Sequence, residues 1–357
     1  MDVHGGQTLR VLGLMSGTSL DGIDLADCSF VRSDNRWNYQ LHRAVTLPYP
    51  DAWKRRLSDL FNADARSIFK AHAELGTFYG ACIKEFIGQA PEKPHLIASH
   101  GHTLFHNPSQ HYTVQIGSGA GIAAGTGIDT VCDFRSKDIA LGGQGAPLVP
   151  IGDALLFSDY EACLNIGGII NVSMQLSGGR SAWDISIANM ALNHLAERVG
   201  LPYDKGGELA RSGSIDQDIL RILQALPYHQ QAPPKSLGRE WFEQEVAPLL
   251  VHDNTADLSA TVCELIALET GKALQKLPQD SRVLTTGGGA HHKHLVSRIE
   301  EHTKTRIVVP DDTLADYKEA VVFAFLGALY SVGNVNVLSE ATGSSKNHIG
   351  GALYKGG

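Results

Sequence analysis

The sequence predicts an α/β protein built from two similar halves with a ligand held between them. Three observations carry that expectation. Apolar runs of strand length alternate with longer stretches of helical spacing. The pattern strand, glycine-containing turn, strand occurs once in each half, around Gly17 to Gly22 and around Gly167-Gly168. The 357 residues are long for one core and comfortable for two domains. Internal identity is too low to establish a repeat from sequence alone.

Composition narrows the class. Hydrophobic residues make up 43% of the chain, yet the apolar runs are too short or too interrupted to span a bilayer. The opening residues show no basic region followed by an apolar one, so no secretory signal is expected. The five cysteines are scattered and never form a C-x-x-C pair, which fits a reducing compartment and a cytoplasmic location. A net charge of −8 offers no general attraction to nucleic acid or to an anionic membrane. The 38 glycines cluster, marking places where backbone approaches something closely or takes positive φ.

In chain order, residues 9–14 form a buried strand and residues 23–30 its return strand. Between them Gly17, Thr18, Ser19, Leu20, Asp21 and Gly22 make a polar turn. Such a turn presents backbone N–H groups and hydroxyls suited to phosphate oxygens. The carboxylates of Asp21 and Asp24 would repel a bare phosphate, so they imply an intervening divalent cation. The same pattern also fits an ordinary glycine-rich hairpin, and the P-loop signature is absent. Residues 41–48 extend the sheet, residues 51–87 are helical, and residues 96–99 are a short strand entering a loop that carries His100, His102 and His106. That cluster reads as a ligand-lining loop or, less well supplied with partners, a metal site. His291-His292 reads as a solvated loop.

Residues 112–116 are a strand, residues 117–126 a helix of small residues, and residues 131–135 a strand end carrying Arg135. Arg135 can clamp an anionic ligand or form a salt bridge with Asp133 or Asp138. In the second half, residues 181–184 form a strand ending in Asp184, followed by a helix over 189–199. Asp184 stands where catalytic groups gather in α/β proteins, or else it caps that helix. Gly287, Gly288 and Gly289 follow a strand and allow backbone to lie flat against a planar ligand. Residues 316–319 lead into an apolar helix, with Glu319 in its first turn facing a cleft.

Taken together, these segments resemble the anhydro-N-acetylmuramic acid kinases, members of the actin, hexokinase and heat-shock ATPase superfamily. The resemblance rests on residues 13–24 (Gly-Leu-Met-Ser-Gly-Thr-Ser-Leu-Asp-Gly-Ile-Asp), Ser99 to Thr103 and Val114 to Gly117. It extends through Asp133-Phe-Arg135, residues 138–150 (Asp-Ile-Ala-Leu-Gly-Gly-Gln-Gly-Ala-Pro-Leu-Val-Pro), Leu164 to Ile169, Pro234 to Glu240 and the triple glycine. It implies a two-domain actin-like (ribonuclease H-like) ATPase fold with an interdomain cleft, divided as residues 1–130 plus 335–357 and residues 131–334.

The resemblance also implies roles. ATP would bind at Gly17, Thr18, Ser19, Leu20, Asp21, Gly22, Ile23 and Asp24, at Gly167 and Gly168, and at Gly287, Gly288 and Gly289. Asp184 would be the catalytic base and Glu319 would help hold sugar and water. Arg135, Gln144 and Asn189 would contact the sugar. The cofactors implied are ATP and Mg²⁺, with no residue assigned as a direct metal ligand. The partners are small molecules rather than nucleic acid or membrane, with a homodimer left open. The implied reaction opens the 1,6-anhydro bridge with water and phosphorylates O6. One departure stands out: Ile185-Ser-Ile-Ala188 replaces the Thr-Gly-Pro-Gly that commonly follows the family's aspartate. It leaves open a kinase for another amino or anhydro sugar, or a catalytically silent nucleotide-binding module.

Overall fold

The computed structural model describes residues 8–17, 20–34, 36–88, 90, 92–176, 179–251 and 254–357. Thr18 and Ser19 of the first turn lie outside the described residues. The chain divides into two compact units, one running to Leu156 and resuming with Tyr317–Gly357, the other spanning Phe157–Asp316.

The first unit is organised on β1 (Leu9–Ser16). Its neighbours are β2 (Gly22–Ser33), β3 (Arg36–Pro48), β4 (Leu96–Asn107), β5 (Tyr112–Ile116) and β6 (Thr130–Cys132). The sheet order is C-terminal strand Ala352–Tyr354, β6, β4, β1, β2, β3, with β5 paired to β4. The pairs β1–β2 and β2–β3 are antiparallel, whereas β1–β4 and β4–β6 are parallel. Alternation along β1 explains the layers. Leu12 and Leu14 join a core with Leu75, Tyr79 and Ile83 of the helix Ala65–Gly88. Gly13, on the other face, meets the helix Asp312–Ser331.

The second unit repeats the plan. Its strands are β7 (Ala162–Ile166), β8 (Ile169–Leu176), β9 (Gly179–Ile187), β10 (Arg282–Thr286) and β11 (Arg306–Val308). They lie in the order β11, β10, β7, β8, β9, with β7–β8 and β8–β9 antiparallel and the other pairs parallel. Leu164, Ile166 and Val172 pack against Leu192 and Leu195 of α1 (Asn189–Arg198) and Val262 and Ile266 of α2 (Thr255–Leu274). Numbered within each unit, and leaving aside β5 and the C-terminal strand, both sheets read 3-2-1-4-5, three antiparallel strands followed by two parallel ones. This is the ribonuclease H-like pattern of the actin-like ATPase fold, present twice.

Four expectations are corrected. The units meet in the chain at 156/157 and 316/317 rather than 130/131 and 334/335. Residues beyond β6 and the C-terminal part of the helix Asp312–Ser331 pack on the first sheet, with Gly152 against Val322 and Gly327 against Ala98. The three histidines after residue 99 are strand, not loop, because β4 continues to Asn107 and pairs with β5 through His102–Ile116 and His106–Thr113. Glu319 lies in the interior of its helix, which already begins at Asp312. His292 is buried: its Nδ1 accepts from Leu295 N–H at 3.0 Å and its Nε2 stands 3.3 Å from Asp204 Oδ2.

A Cβ added at Gly13 would sit 2.0 Å from Ala320 O and 2.9 Å from Ala324 N, with backbone on both sides and no side chain able to yield. Gly13→Ala is therefore expected to destabilise the first unit by about 2–3 kcal/mol through overpacking, read from urea unfolding. An unchanged unfolding midpoint would contradict this packing.

Candidate active site

Parallel pairing of β7 with β10 brings two glycine motifs that are far apart in sequence onto one surface. Gly167 and Gly168 form the turn between β7 and β8. Their carbonyls accept from Asn189 N–H (3.1 Å), Ala188 N–H (2.8 Å) and Met190 N–H (3.1 Å), which fixes the turn to the start of α1. Gly287 takes a φ of 86°, and a Cβ there would stand 2.6 Å from Asn165 Oδ1 and 2.8 Å from Ile166 O. At Gly289 a Cβ would strike Ile166 Cγ2 at 2.2 Å. Gly168 and Gly288 are exposed, so the turn and the glycine loop offer side-chain-free backbone to a ligand. Asn189, expected at a sugar, is tied into this surface: its Nδ2 donates to Ile166 O at 3.2 Å. The cause is that β9 runs on through Ile187, with Ile185 and Ile187 buried in the core, and delivers Asn189 beside the turn.

Asp184 lies inside β9 rather than at its end, and Ala188 occupies the cap position of α1 without a side-chain bond, so Asp184 is not the cap. Its environment is built by a distant segment. Asp184 N–H donates to Lys235 O at 3.1 Å, Leu237 N–H donates to Asp184 Oδ2 at 2.9 Å, and Tyr228 O–H donates to the Asp184 main-chain oxygen at 2.7 Å. Burial pushes the carboxyl above the ordinary aspartate range, and the Leu237 bond pulls it partly back. The result is a half-buried acid with one oxygen fixed and Oδ1 without a hydrogen bond among the described residues.

In the first unit, Ser16 closes β1 just before the first turn. Its hydroxyl meets Tyr49 OH at 2.7 Å and His102 Nδ1 at 3.2 Å, and Tyr49 continues to Tyr79 OH at 2.6 Å. Burial lowers the His102 ring to about 4, so it is neutral at physiological pH. Beyond Gly17, Leu20 takes a left-handed φ of 62° and packs on the core, while Asp21 is exposed. Ile23, expected to meet the nucleotide, is fully buried in the core, because it alternates inward along β2. Gly22 passes so close to β3 that a Cβ would stand 2.4 Å from Leu47 O. Asp24 is half-buried and accepts from Thr46 Oγ1 at 2.6 Å.

Glu319 belongs to the same cluster of charges. Surrounding protein raises its carboxyl above the usual range even though part of the side chain reaches solvent; Arg135 opposes that rise, Asp24 adds to it and Lys318 opposes it. Arg135 is bonded to neither expected partner. Its Nη2 and Nε donate to His100 Nε2 at 2.8 and 3.1 Å, and Nη1 donates to Gly145 O at 2.6 Å. Asp133 instead accepts from Ser136 N–H. Burial lowers Arg135 to about 10, still charged at neutral pH, with Glu319 and Asp138 supporting the charge. His100 donates from Nδ1 to Gly101 O at 2.9 Å and stays neutral, since burial first and Arg135 second depress its pKa. It is a neutral acceptor that orients a cation, and its strand position conceals that role from sequence.

The loop bearing Gln144 hangs on Asp138, which is fully buried. Asp138 Oδ2 accepts from Gly145 N–H at 2.7 Å and Oδ1 from Thr342 Oγ1 at 2.7 Å, while Gln144 N–H donates to Thr342 O at 2.8 Å. Gln144 itself is exposed at the crest of the loop. Asp138→Ala would leave the buried Gly145 N–H unpaired and the Thr342 hydroxyl with only its longer contacts to Leu338 O and Ser344 Oγ. The expected cost is about 3 kcal/mol in denaturant unfolding, with faster amide exchange at Gly145. An unaltered Gly145 amide would show that the loop is anchored elsewhere.

Comparison with known proteins follows this geometry. A family model described as "Anhydro-N-acetylmuramic acid kinase" matches residues 9–356. The chain is 36% identical to the anhydro-N-acetylmuramic acid kinase of Gloeobacter violaceus, covering 95% of this chain and 96% of that one. It is 35% identical to the enzyme of the same name from Pasteurella multocida, covering 97% of each. Among solved structures, component A of (R)-2-hydroxyglutaryl-CoA dehydratase from Acidaminococcus fermentans aligns with a TM-score of 0.46 at 13% identity, covering 89% of this chain and 97% of that one. That likeness is too distant to bear on activity. The full-length family match and the two relatives show that this chain belongs to the anhydro-N-acetylmuramic acid kinase family, a family of sugar kinases.

Proposed function

We propose that this protein uses ATP to open 1,6-anhydro-N-acetylmuramic acid and phosphorylate it, giving N-acetylmuramic acid 6-phosphate and ADP in cytoplasmic cell-wall recycling. The observation that carries this reading is Asp184, a half-buried carboxylate with one oxygen pinned by Leu237 and the other left for a proton. Asp184 accepts a proton from water as the water oxygen bonds to the anomeric carbon. The bond from that carbon to O6 breaks, and the electron pair on O6 attacks the γ-phosphorus as ADP leaves. Arg135, Gln144 and Asn189 are assigned to the sugar and Glu319 to sugar and water. Gly17, Asp21, Gly22 and Asp24, the Gly167-Gly168 turn and the glycine loop 287–289 are assigned to ATP.

Magnesium would be held with phosphate oxygens and one or two carboxylates, because no cluster of three or more candidate ligands exists among the described residues. Asp21 and Asp24 are hard-oxygen donors beside the first turn and fit that demand. When bound, the ion would neutralise phosphate charge. A second reading, a kinase for a related anhydro or amino sugar, is favoured by the continuous strand through Ile187 where the family commonly has glycines.

With ATP, Mg²⁺ and the anhydro sugar, the 6-phosphate is the expected product. Asp184→Asn should lower kcat by roughly 10²–10⁴-fold, the usual contribution of a general base. Survival of turnover in that variant removes Asp184 from the role. A panel of amino and anhydro sugars ranked by kcat/KM separates the two substrate readings. A base must be ionised to act, and burial raises Asp184, so kcat/KM should fall on acidification at a midpoint above about 3.9, the ordinary aspartate value. A midpoint at or below that value would count against a buried base.

A further inference from the structure

Asp184 is held by groups that take no part in the chemistry assigned above. The register of β8 with β9 slips between Ile170–Ser186 and Asn171–Asp184, leaving Ile185 as an extra residue. A bulge of this kind re-aims neighbouring side chains and leaves local backbone short of ladder partners. Here the missing restraint comes from outside the ladder, on both sides of Ile185. Tyr228 and His229 are consecutive in the short helix Pro227–Gln230. Tyr228 O–H donates to the Asp184 main-chain oxygen at 2.7 Å. Ser186 Oγ lies 3.1 Å from His229 Nε2, and His229 Nδ1 lies 2.8 Å from Leu223 O, which makes Nε2 the acceptor.

The segment that follows folds back to complete the grip. Lys235 O accepts from Asp184 N–H, and Leu237 N–H donates to Asp184 Oδ2. Lys235 Nζ donates to Tyr228 O at 3.0 Å and stands 4.4 Å from the centroid of the Tyr228 ring. The buried Tyr228 ring also packs 5.4 Å from that of Trp241. Tyr228 and Lys235 thus fasten one another while each fastens Asp184.

We propose that Tyr228, Lys235 and the Leu237 amide form a clamp that sets the direction of the Asp184 carboxylate, making Tyr228 a positioning residue for the kinase reaction. The clamp rests on the assignment of Asp184 as base for its catalytic consequence, but its geometry can be tested apart from it. Precise aim matters because small displacements of a reacting group cost large factors in rate.

The test is Tyr228→Phe, which removes one hydroxyl and keeps the ring. The Leu237 amide should exchange at least about tenfold faster by NMR, and kcat should fall about tenfold with KM for ATP unchanged. In an Asp184→Asn background the same change should cause no further loss, since Tyr228 acts through Asp184. An unchanged Leu237 amide, an unchanged kcat or an equal loss in both backgrounds overturns the proposal. Should Tyr228→Phe lose its fold, Lys235→Met is read by the same measurements, with the same outcomes deciding. If the wild-type protein leaves the anhydro sugar untouched, the substrate reading falls and the Leu237 exchange alone decides the clamp.

Discussion

The contact between Gly13 and Ala320 is the constraint on which the first unit depends. A strand and a helix approach until backbone touches backbone, at a separation that admits no methyl group. Two pieces far apart in sequence then behave as one body. The strand ends at Ser16, immediately before the first turn, and the helix carries Glu319 one residue before the contact. Glu319, Asp24 and Arg135 consequently feel each other electrostatically. Packing of the helix on β1 sets the place of Glu319, so the charge cluster is a product of packing rather than of local sequence.

Charge within this cluster is handled with neutral groups as well as with opposite ones. Arg135 is half-buried, and a carboxylate bonded directly to it would cancel its charge. His100 and the Gly145 carbonyl satisfy its donors without neutralising it. His100 can serve this way because burial keeps it unprotonated and its Nδ1 proton is committed to Gly101. The arrangement keeps a cation oriented yet electrostatically available.

Elements with strong local signatures were legible in the sequence. Both hairpins, the glycine loop and the long helices follow from periodicity and turn chemistry, and the strand-turn-strand grammar shared by the two halves anticipates the shared sheet order. What escaped depends on contacts across long separations. The bulge at Ile185 has no period-two signature, so the alternation points to a strand end at Asp184 where the strand runs on to Ile187. The grip of Tyr228 and Leu237 on Asp184 spans more than forty positions. The resemblance takes residues 17–24 as one segment and so includes Ile23, though strand alternation turns that side chain into the core. Asp138 shows no role until Thr342 arrives from the other end of the chain. The division at 316/317 falls inside the helix Asp312–Ser331, whose periodicity gives no sign of it.

The stitching of Thr342 to Asp138 has a bearing on the C-terminal residues as a whole. Ser345 N–H donates to Leu141 O, Lys137 Nζ to Ile349 O, and Lys355 pairs with Asp129 at the edge of the sheet. The tail is thus the back wall of the loop that displays Gln144. A protease that nicked the chain after residue 340 would remove no assigned ligand contact, yet it would strip the support from beneath Arg135 and Gln144 together. The last residues of the chain are in this sense the footing of a loop that lies about two hundred positions earlier.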